Sequence, residues 1–257
     1  MTDSQPGPEP FVRSATEILE EARARGLVLR LTGGIALHLR CAAFSRIQAQ
    51  LPRRYDNVDL DFVAYSKQMR DVERLFADAG FIEDKRIKSV PGLRRSIFHS
   101  PDQAWHCDIF YDVLEFSHEI DIRGRLELDF PTVTLADLLL GKMQIAEINE
   151  KDVVDTIMLL RAHDVSESDD SAINAAHVAR LSKADWGLWR TLTGNLATVG
   201  KLAETYGTLT GEDRDIVEER RTTLLQRVEE EPPTLRWRLR SRVGDRVKWY
   251  RDVDEVI

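Results

Sequence analysis

The chain has 257 residues, enough for one large domain or two modest ones with a substantial core. Its apolar content of 42% excludes general disorder, and the absence of any run of about 18 apolar residues gives no sign of a membrane span. A net charge of −8 argues against indiscriminate nucleic-acid binding, and two cysteines, Cys41 and Cys107, are too few for a disulfide framework or a zinc site, so free thiols in the cytoplasm are expected.

Residues 1–10, "MTDSQPGPEP", lack the basic and apolar regions of a secretory signal and read as a disordered tail. A helix follows, with Phe11, Ala15, Ile18, Leu19 and Ala22 on one face and Gly26 at its end. "LVLRL" (27–31) reads as a strand, and Gly33-Gly34 opens a second helix through Leu39 and Ala42. "NVDLDFVAY" (57–65) alternates and predicts a strand, "MRDVERLFADAGF" a helix, and "LRRSIFHS" and "WHCDIFYDVL" a hairpin about "PDQA". Beyond "DFPTV" the pattern turns helical, in "TLADLLLGKMQIAEIN" and "KDVVDTIMLLRAH". The polar stretch "DVSESDD" (164–170) reads as a linker between a domain at 11–165 and a helical C-terminal domain at 171–257.

The chemistry concentrates on strands. Asp is depleted in strands, yet Asp59 and Asp61 lie inside an apolar one, on the same face at period two. Carboxylates so spaced stand about 6.6 Å apart at the backbone and can converge on one Mg²⁺ or bridge two. A polar outer face on an edge strand is the plainer reading of the pair alone. "WHCDIFYDV" repeats the arrangement, with His106, Asp108 and Phe110 on one face and Asp112 nearer the strand end. Three gathered carboxylates repel unless a cation lies among them. Glycines at a strand-to-helix turn let backbone approach a phosphate, which the helix N-terminus attracts.

In these residues the chain resembles the nucleotidyltransferase superfamily, marked by Gly-Gly or Gly-Ser followed by Asp-x-Asp: "TGG" at 32–34 and "DLD" at 59–61. It looks most like the AbiEii-type nucleotidyltransferase toxins, whose L-x-x-x-D-x-x-x-x-K motif is met by "VTLADLLLGK" with Asp137 and Lys142, Val133 replacing the leucine. Their R-D-x-x-D motif is met by "KDVVD" with Asp152 and Asp155, Lys151 replacing the arginine. Tyr55 and Asn57 stand where related sequences carry Arg and Thr, and an insertion lies around "SRIQAQLPRR".

The resemblance implies an α/β fold, a small mixed sheet flanked by helices, followed by an all-α C-terminal region. It implies a metal-dependent enzyme moving a nucleoside monophosphate from an NTP such as ATP to an acceptor hydroxyl. Asp59, Asp61, Asp108 and Lys142 are the expected catalytic residues, the three acids also as ligands of Mg²⁺ or Mn²⁺, with Asp108 as ligand or base. Thr32, Gly33, Gly34, Lys142 and Asp155 are the expected nucleotide-binding set, Lys142 holding phosphate as a point charge. A tRNA or protein acceptor, an antitoxin partner and no membrane association are expected; an aminoglycoside- or lincosamide-type acceptor and a non-catalytic nucleotide-binding protein are the rivals. The C-terminal "TLRWRLRSRVGDRVKWYR" offers basic and aromatic residues for a stacking surface. Its spacing predicts a helix burying Leu235, Leu239, Val243, Val247 and Tyr250 behind solvated arginines.

Overall fold

The computed structural model describes residues 7–44, 47, 59–88 and 94–253. The insertion and the predicted strand start at Asn57 and Val58 lie outside them. The chain is mixed α/β, and its contacts group into two units: residues 1–40, 54–114 and 121–134 form one, and residues 41–53, 115–120 and 135–257 the other.

The first unit is built on a five-stranded mixed sheet. Its elements are α1 (Glu9–Ala24), β1 (Leu29–Thr32), α2 (Gly33–Arg40), β2 (Leu60–Ala64), α3 (Met69–Asp78), β3 (Ile82–Glu83), α4 (Lys85–Lys88), β4 (Arg95–His99) and β5 (His106–Tyr111). Glu9 and Pro10, expected in the tail, instead open α1, where a proline is tolerated because the first turn's N–H groups lack intrahelical partners. Strand order is β1-β2-β5-β4-β3. Only β2 and β5 run parallel; the other pairs are antiparallel, including the predicted β4–β5 hairpin. The outer edge of β1 is covered by residues 131–133, through Leu31 N–H to Pro131 O and Val133 N–H to Leu31 O, both 3.0 Å.

Alternation gives this sheet two unlike faces. One carries Leu29, Leu31, Leu60, Phe62, Cys107, Ile109 and Phe98, all nearly inaccessible. Phe76 of α3 packs there, stacked 5.1 Å from Phe98 and edge-on to Phe62 at 5.8 Å. The opposite face carries the polar residues of the candidate site.

The second unit is helical: α5 (Leu135–Met143), α6 (Glu150–Ala162), α7 (Ala175–Ala184), α8 (Trp186–Ala203), α9 (Gly211–Glu230) and the short α10 (Leu235–Ser241). Side chains cap these helices as their sequences invite. Asn149 accepts from Asp152 N, Asp185 from Gly187 N and Leu188 N, and Thr210 forms a capping box with Asp213. The helix expected through Asn149 stops at Met143, where Asn195 Nδ2 donates to the Met143 and Ile145 carbonyls at 3.1 and 2.7 Å. The expected linker at 164–170 is bounded by a two-residue parallel pair, Val165–Ser166 with Ile173–Asn174. The two compact units divide at Thr134 and Leu135, so α5 and α6 group with the later helices rather than with the sheet.

The C-terminal helix corrects the predicted facing. Leu235 and Leu239 are 72% and 52% exposed, and Val243 and Val247 are exposed as well. Trp237, Arg240 and Trp249 are half-buried instead, and of the expected face Tyr250 is half-buried as well. Helix α10 ends at Ser241, and Gly244, at φ +58°, breaks the predicted continuation.

Candidate functional site

The register of the sheet assembles the site. Thr32 pairs with Asp61, Asp61 with Asp108, and Asp108 with Ile97, so one row crosses β1, β2, β5 and β4. Paired residues project to the same face, which puts Thr32 beside Asp61 and Asp61 beside Asp108. A neighbouring row holds His106 opposite His99, with Asp59 just before β2 on the same side. Arg95 lies in the third row, opposite Phe110.

Gly33 has two reasons to be glycine. Its φ is +67°, and a Cβ there would lie 2.0 Å from Asp61 Oδ2. The close approach at this turn is therefore Asp61's own carboxylate against the first residue of α2. Gly34 is not among the residues of positive φ. Thr32, directly before the turn, is buried.

Two basic side chains answer the carboxylates. Arg95 Nη2 lies 2.5 Å from Asp108 Oδ2, and Phe110 packs under the guanidinium at 5.1 Å. His106 Nδ1 lies 3.0 Å from Asp59 Oδ1, and its Nε2 is 4.0 Å from Asp108 Oδ2. The hydrogen bond to Asp59 raises the His106 pKa above its ordinary 6.5, burial opposes that rise, and the charges of Asp59, Asp108 and Asp61 add to it. Asp108 Oδ1 and Arg95 Nε are buried and have no hydrogen-bond partner among the described residues. A buried acceptor left so is costly and marks a place where a donor or cation is favoured.

Asp112, the rival acid of β5's end, has different work. It sits at φ +64° and accepts from Ser66 N at 3.0 Å and from the Ser66 hydroxyl, fixing the turn after β2. Sequence reasoning passed over Arg95, although the alternation of "RSIFH" already puts Arg95, Ile97 and His99 on one strand face.

Lys142, Asp152, Asp155 and Asp137 belong to the helical unit. Lys142 Nζ lies 2.7 Å from Asp152 Oδ1 and 3.0 Å from Asp155 Oδ2. Burial alone lowers the pKa of this amine, but the charges of Asp155 and Asp152 outweigh it, and the net shift is upward. The lysine is a fixed cation held by two acids from α6. Asp137 Oδ1 lies 3.4 Å from His177 Nε2, both side chains being buried.

The donor set of Asp59, Asp61 and Asp108 suits a hard cation such as Mg²⁺, which prefers carboxylate oxygens, and the orphaned Asp108 Oδ1 is an acceptor such a cation satisfies. Among the described residues, no group of three or more His, Cys, Asp or Glu side chains is arranged to hold a metal ion. Asp59 is turned to His106 and Asp108 Oδ2 to Arg95, so binding needs those two pairs to loosen. Among the described residues no helix is long and apolar enough to cross a membrane. Comparison of the chain with protein families, with curated proteins and with solved structures finds no match.

Proposed function

We propose that this protein is a metal-dependent nucleotidyltransferase that moves a nucleoside monophosphate from an NTP to an acceptor hydroxyl and releases pyrophosphate. The observation that carries this reading is the registered pair Asp61 and Asp108 on adjacent parallel strands, with the left-handed Gly33 against Asp61's carboxylate. Asp59, Asp61 and Asp108 would hold Mg²⁺, which supplies charge neutralisation for the phosphates. Gly33 and Gly34 place backbone N–H groups at the start of α2, where phosphate oxygens are favoured. Asp108 is the acid with a free buried oxygen and suits proton acceptance from the acceptor hydroxyl. Arg95 and His106 hold the cluster together as compensating charges when its ligands are not engaged elsewhere. Lys142, which the resemblance makes a phosphate contact, is a fixed positive charge held by Asp152 and Asp155 within the helical unit. The resemblance to the AbiEii-type toxins makes a tRNA or protein hydroxyl the favoured acceptor class and a cognate antitoxin the favoured partner.

One observation favours a second reading. Arg95 and His106 already engage Asp108 and Asp59, as they would in a nucleotide-binding protein without catalysis. Incubation with α-³²P-labelled NTPs, Mg²⁺ and candidate acceptors separates the two. Label transfer by the wild type and none by Asp61→Asn supports the transferase. Equal behaviour of the two proteins, or nucleotide binding without any transfer, overturns it.

A further inference from the structure

The helical unit contains a cleft of about 780 Å³ lined by Ser117–Glu119, the start of α8, α10 and residues 248–251. The lining itself is opposite in charge to the chain. Arg236, Arg240, Lys248 and Arg251 line it, against the two acids Glu119 and Asp185. Both acids are engaged: Asp185 Oδ1 accepts from Gly187 N at 2.7 Å and Leu188 N at 3.1 Å, and Glu119 holds Arg251 at 2.6 Å. Arg240 is fixed by the Gly244 and Val247 carbonyls and lies over the Trp186 ring at 4.6 Å, and Lys248 pairs with Asp252. Arg236 is exposed and, among the described residues, makes no hydrogen bond or ion pair. Arg251 is also held by Glu115, so with Asp252 on Lys248 the four cations meet four acids, and Arg236 is the charge left open to an anion.

The second component is aromatic. Trp249 and Tyr250 line the cleft half-buried. The Trp249 indole N–H donates to Thr191 Oγ1 at 3.1 Å, and the ring meets Trp186 edge-on at 6.1 Å, so it is a fixed platform. Gly187 admits this arrangement, because a Cβ there would lie 2.6 Å from the Trp249 carbonyl oxygen. Fixed aromatic rings beside guanidinium groups are the pairing that takes a base by stacking and its phosphate by charge. The volume falls in the range of small-ligand sites, about 300–1,000 Å³.

We propose that this cleft binds a nucleotide, its phosphate held by Arg236 and Lys248 and its base stacked on Trp249 or Tyr250. The site lies within the helical unit and needs none of the sheet carboxylates. The test is equilibrium titration of the full chain in EDTA with three probes: AMP, inorganic phosphate and a 5′-phosphorylated oligoadenylate. Wild type and Asp61→Asn should bind AMP equally and more tightly than inorganic phosphate. Arg236→Glu and Lys248→Glu, both at exposed positions, should each weaken AMP roughly tenfold or more, and at least one of Trp249→Ala and Tyr250→Ala should weaken AMP but not phosphate. Tighter binding of the oligonucleotide assigns the cleft to a strand end, and equal binding to a free mononucleotide. Failure of the wild type to bind AMP overturns the proposal. So do wild-type affinities in both charge variants, inorganic phosphate binding as tightly as AMP, or loss of binding in Asp61→Asn.

Discussion

Both units gather carboxylates beside nitrogen donors, and they differ in how those donors are shared. In the helical unit Lys142 stands between Asp152 and Asp155 at 2.7 and 3.0 Å, so one ammonium is hydrogen-bonded to both acids. In the sheet unit Asp59 and Asp108 have separate partners, His106 and Arg95, from neighbouring positions on the strands. Each cluster keeps one buried carboxylate oxygen without a hydrogen-bond partner among the described residues, Asp155 Oδ1 in the helices and Asp108 Oδ1 in the sheet. One shared ammonium ties its two acids into the fold, whereas separate pairs can loosen one at a time. The contrast predicts that substitutions in the sheet row change chemistry, whereas substitutions in the lysine triad change folding.

The largest effect is expected at Asp61. Asp61→Asn should lower label transfer from α-³²P-NTP at least about a thousandfold while the protein still unfolds cooperatively in urea. Asp108→Asn should also lower transfer, and more than Asp112→Asn does, because Asp112 is engaged with Ser66. Transfer lost in Asp112→Asn but kept in Asp108→Asn would reverse the roles of the two acids.

Lys142→Ala comes next. It leaves Asp152 and Asp155 buried without their shared cation, which costs about 3–5 kcal/mol in comparable pairs. Urea midpoints should show that loss, and Lys142→Met combined with Asp152→Asn and Asp155→Asn should recover part of it. An Ala variant as stable as the wild type, with weakened NTP binding alone, would make Lys142 a phosphate ligand rather than the shared cation of a structural triad.

Gly33→Ala should cost roughly 1–3 kcal/mol from the left-handed backbone alone and should also displace Asp61's carboxylate, so transfer falls with stability. Gly34→Ala meets no such backbone strain and should be the milder of the two. Equal effects of the two substitutions would remove Gly33 from the site.

These expectations mark what was readable in the chain. Alternation alone put Asp59 and Asp61 on one face and Asp108 on another strand, and Gly33-Gly34 marked the strand-to-helix turn. The pairing of Asp61 with Asp108 was not readable, because parallel register between β2 and β5 is set by tertiary packing between residues 47 positions apart rather than by a local turn. Arg95's engagement with Asp108 lies inside the predicted β4–β5 hairpin, where the shared face was readable and the register was not. The two-residue strands at 165–166 and 173–174 are too short to show a period. At α10 the period was real and the facing was not: Leu235 and Leu239 repeat at helical spacing yet lie outward, while Arg240 packs its guanidinium on Trp186. Spacing says which residues share a face. It does not say which face is covered.

The smallest effect is in the pH dependence, and there the two units should have opposite signs. His106 in the sheet unit has its pKa raised by the hydrogen bond to Asp59, so it binds its proton more tightly folded than unfolded. Its stabilisation is fully present below the ordinary value of 6.5 and is lost as pH rises through the raised value. His118 in the helical unit, hydrogen-bonded to Thr191 Oγ1 at 2.9 Å, has its pKa lowered by burial. Its contribution is present above 6.5 and is lost as pH falls toward and through the lowered value. His106 and Asp59 are partly exposed, so solvent screening holds their contribution within about 1 kcal/mol. Urea midpoints of wild type, His106→Gln and His118→Gln across the window around 6.5 decide the matter. His106→Gln should cost most on the acid side and converge with the wild type on the alkaline side. His118→Gln should gain relative to the wild type as the solution is made acid, because it removes a group that the folded state prefers neutral. The same slope in both variants would mean that the two histidines share one kind of environment, and the contrast between an open polar row and a closed helical interior would fail at the residues where it is easiest to measure.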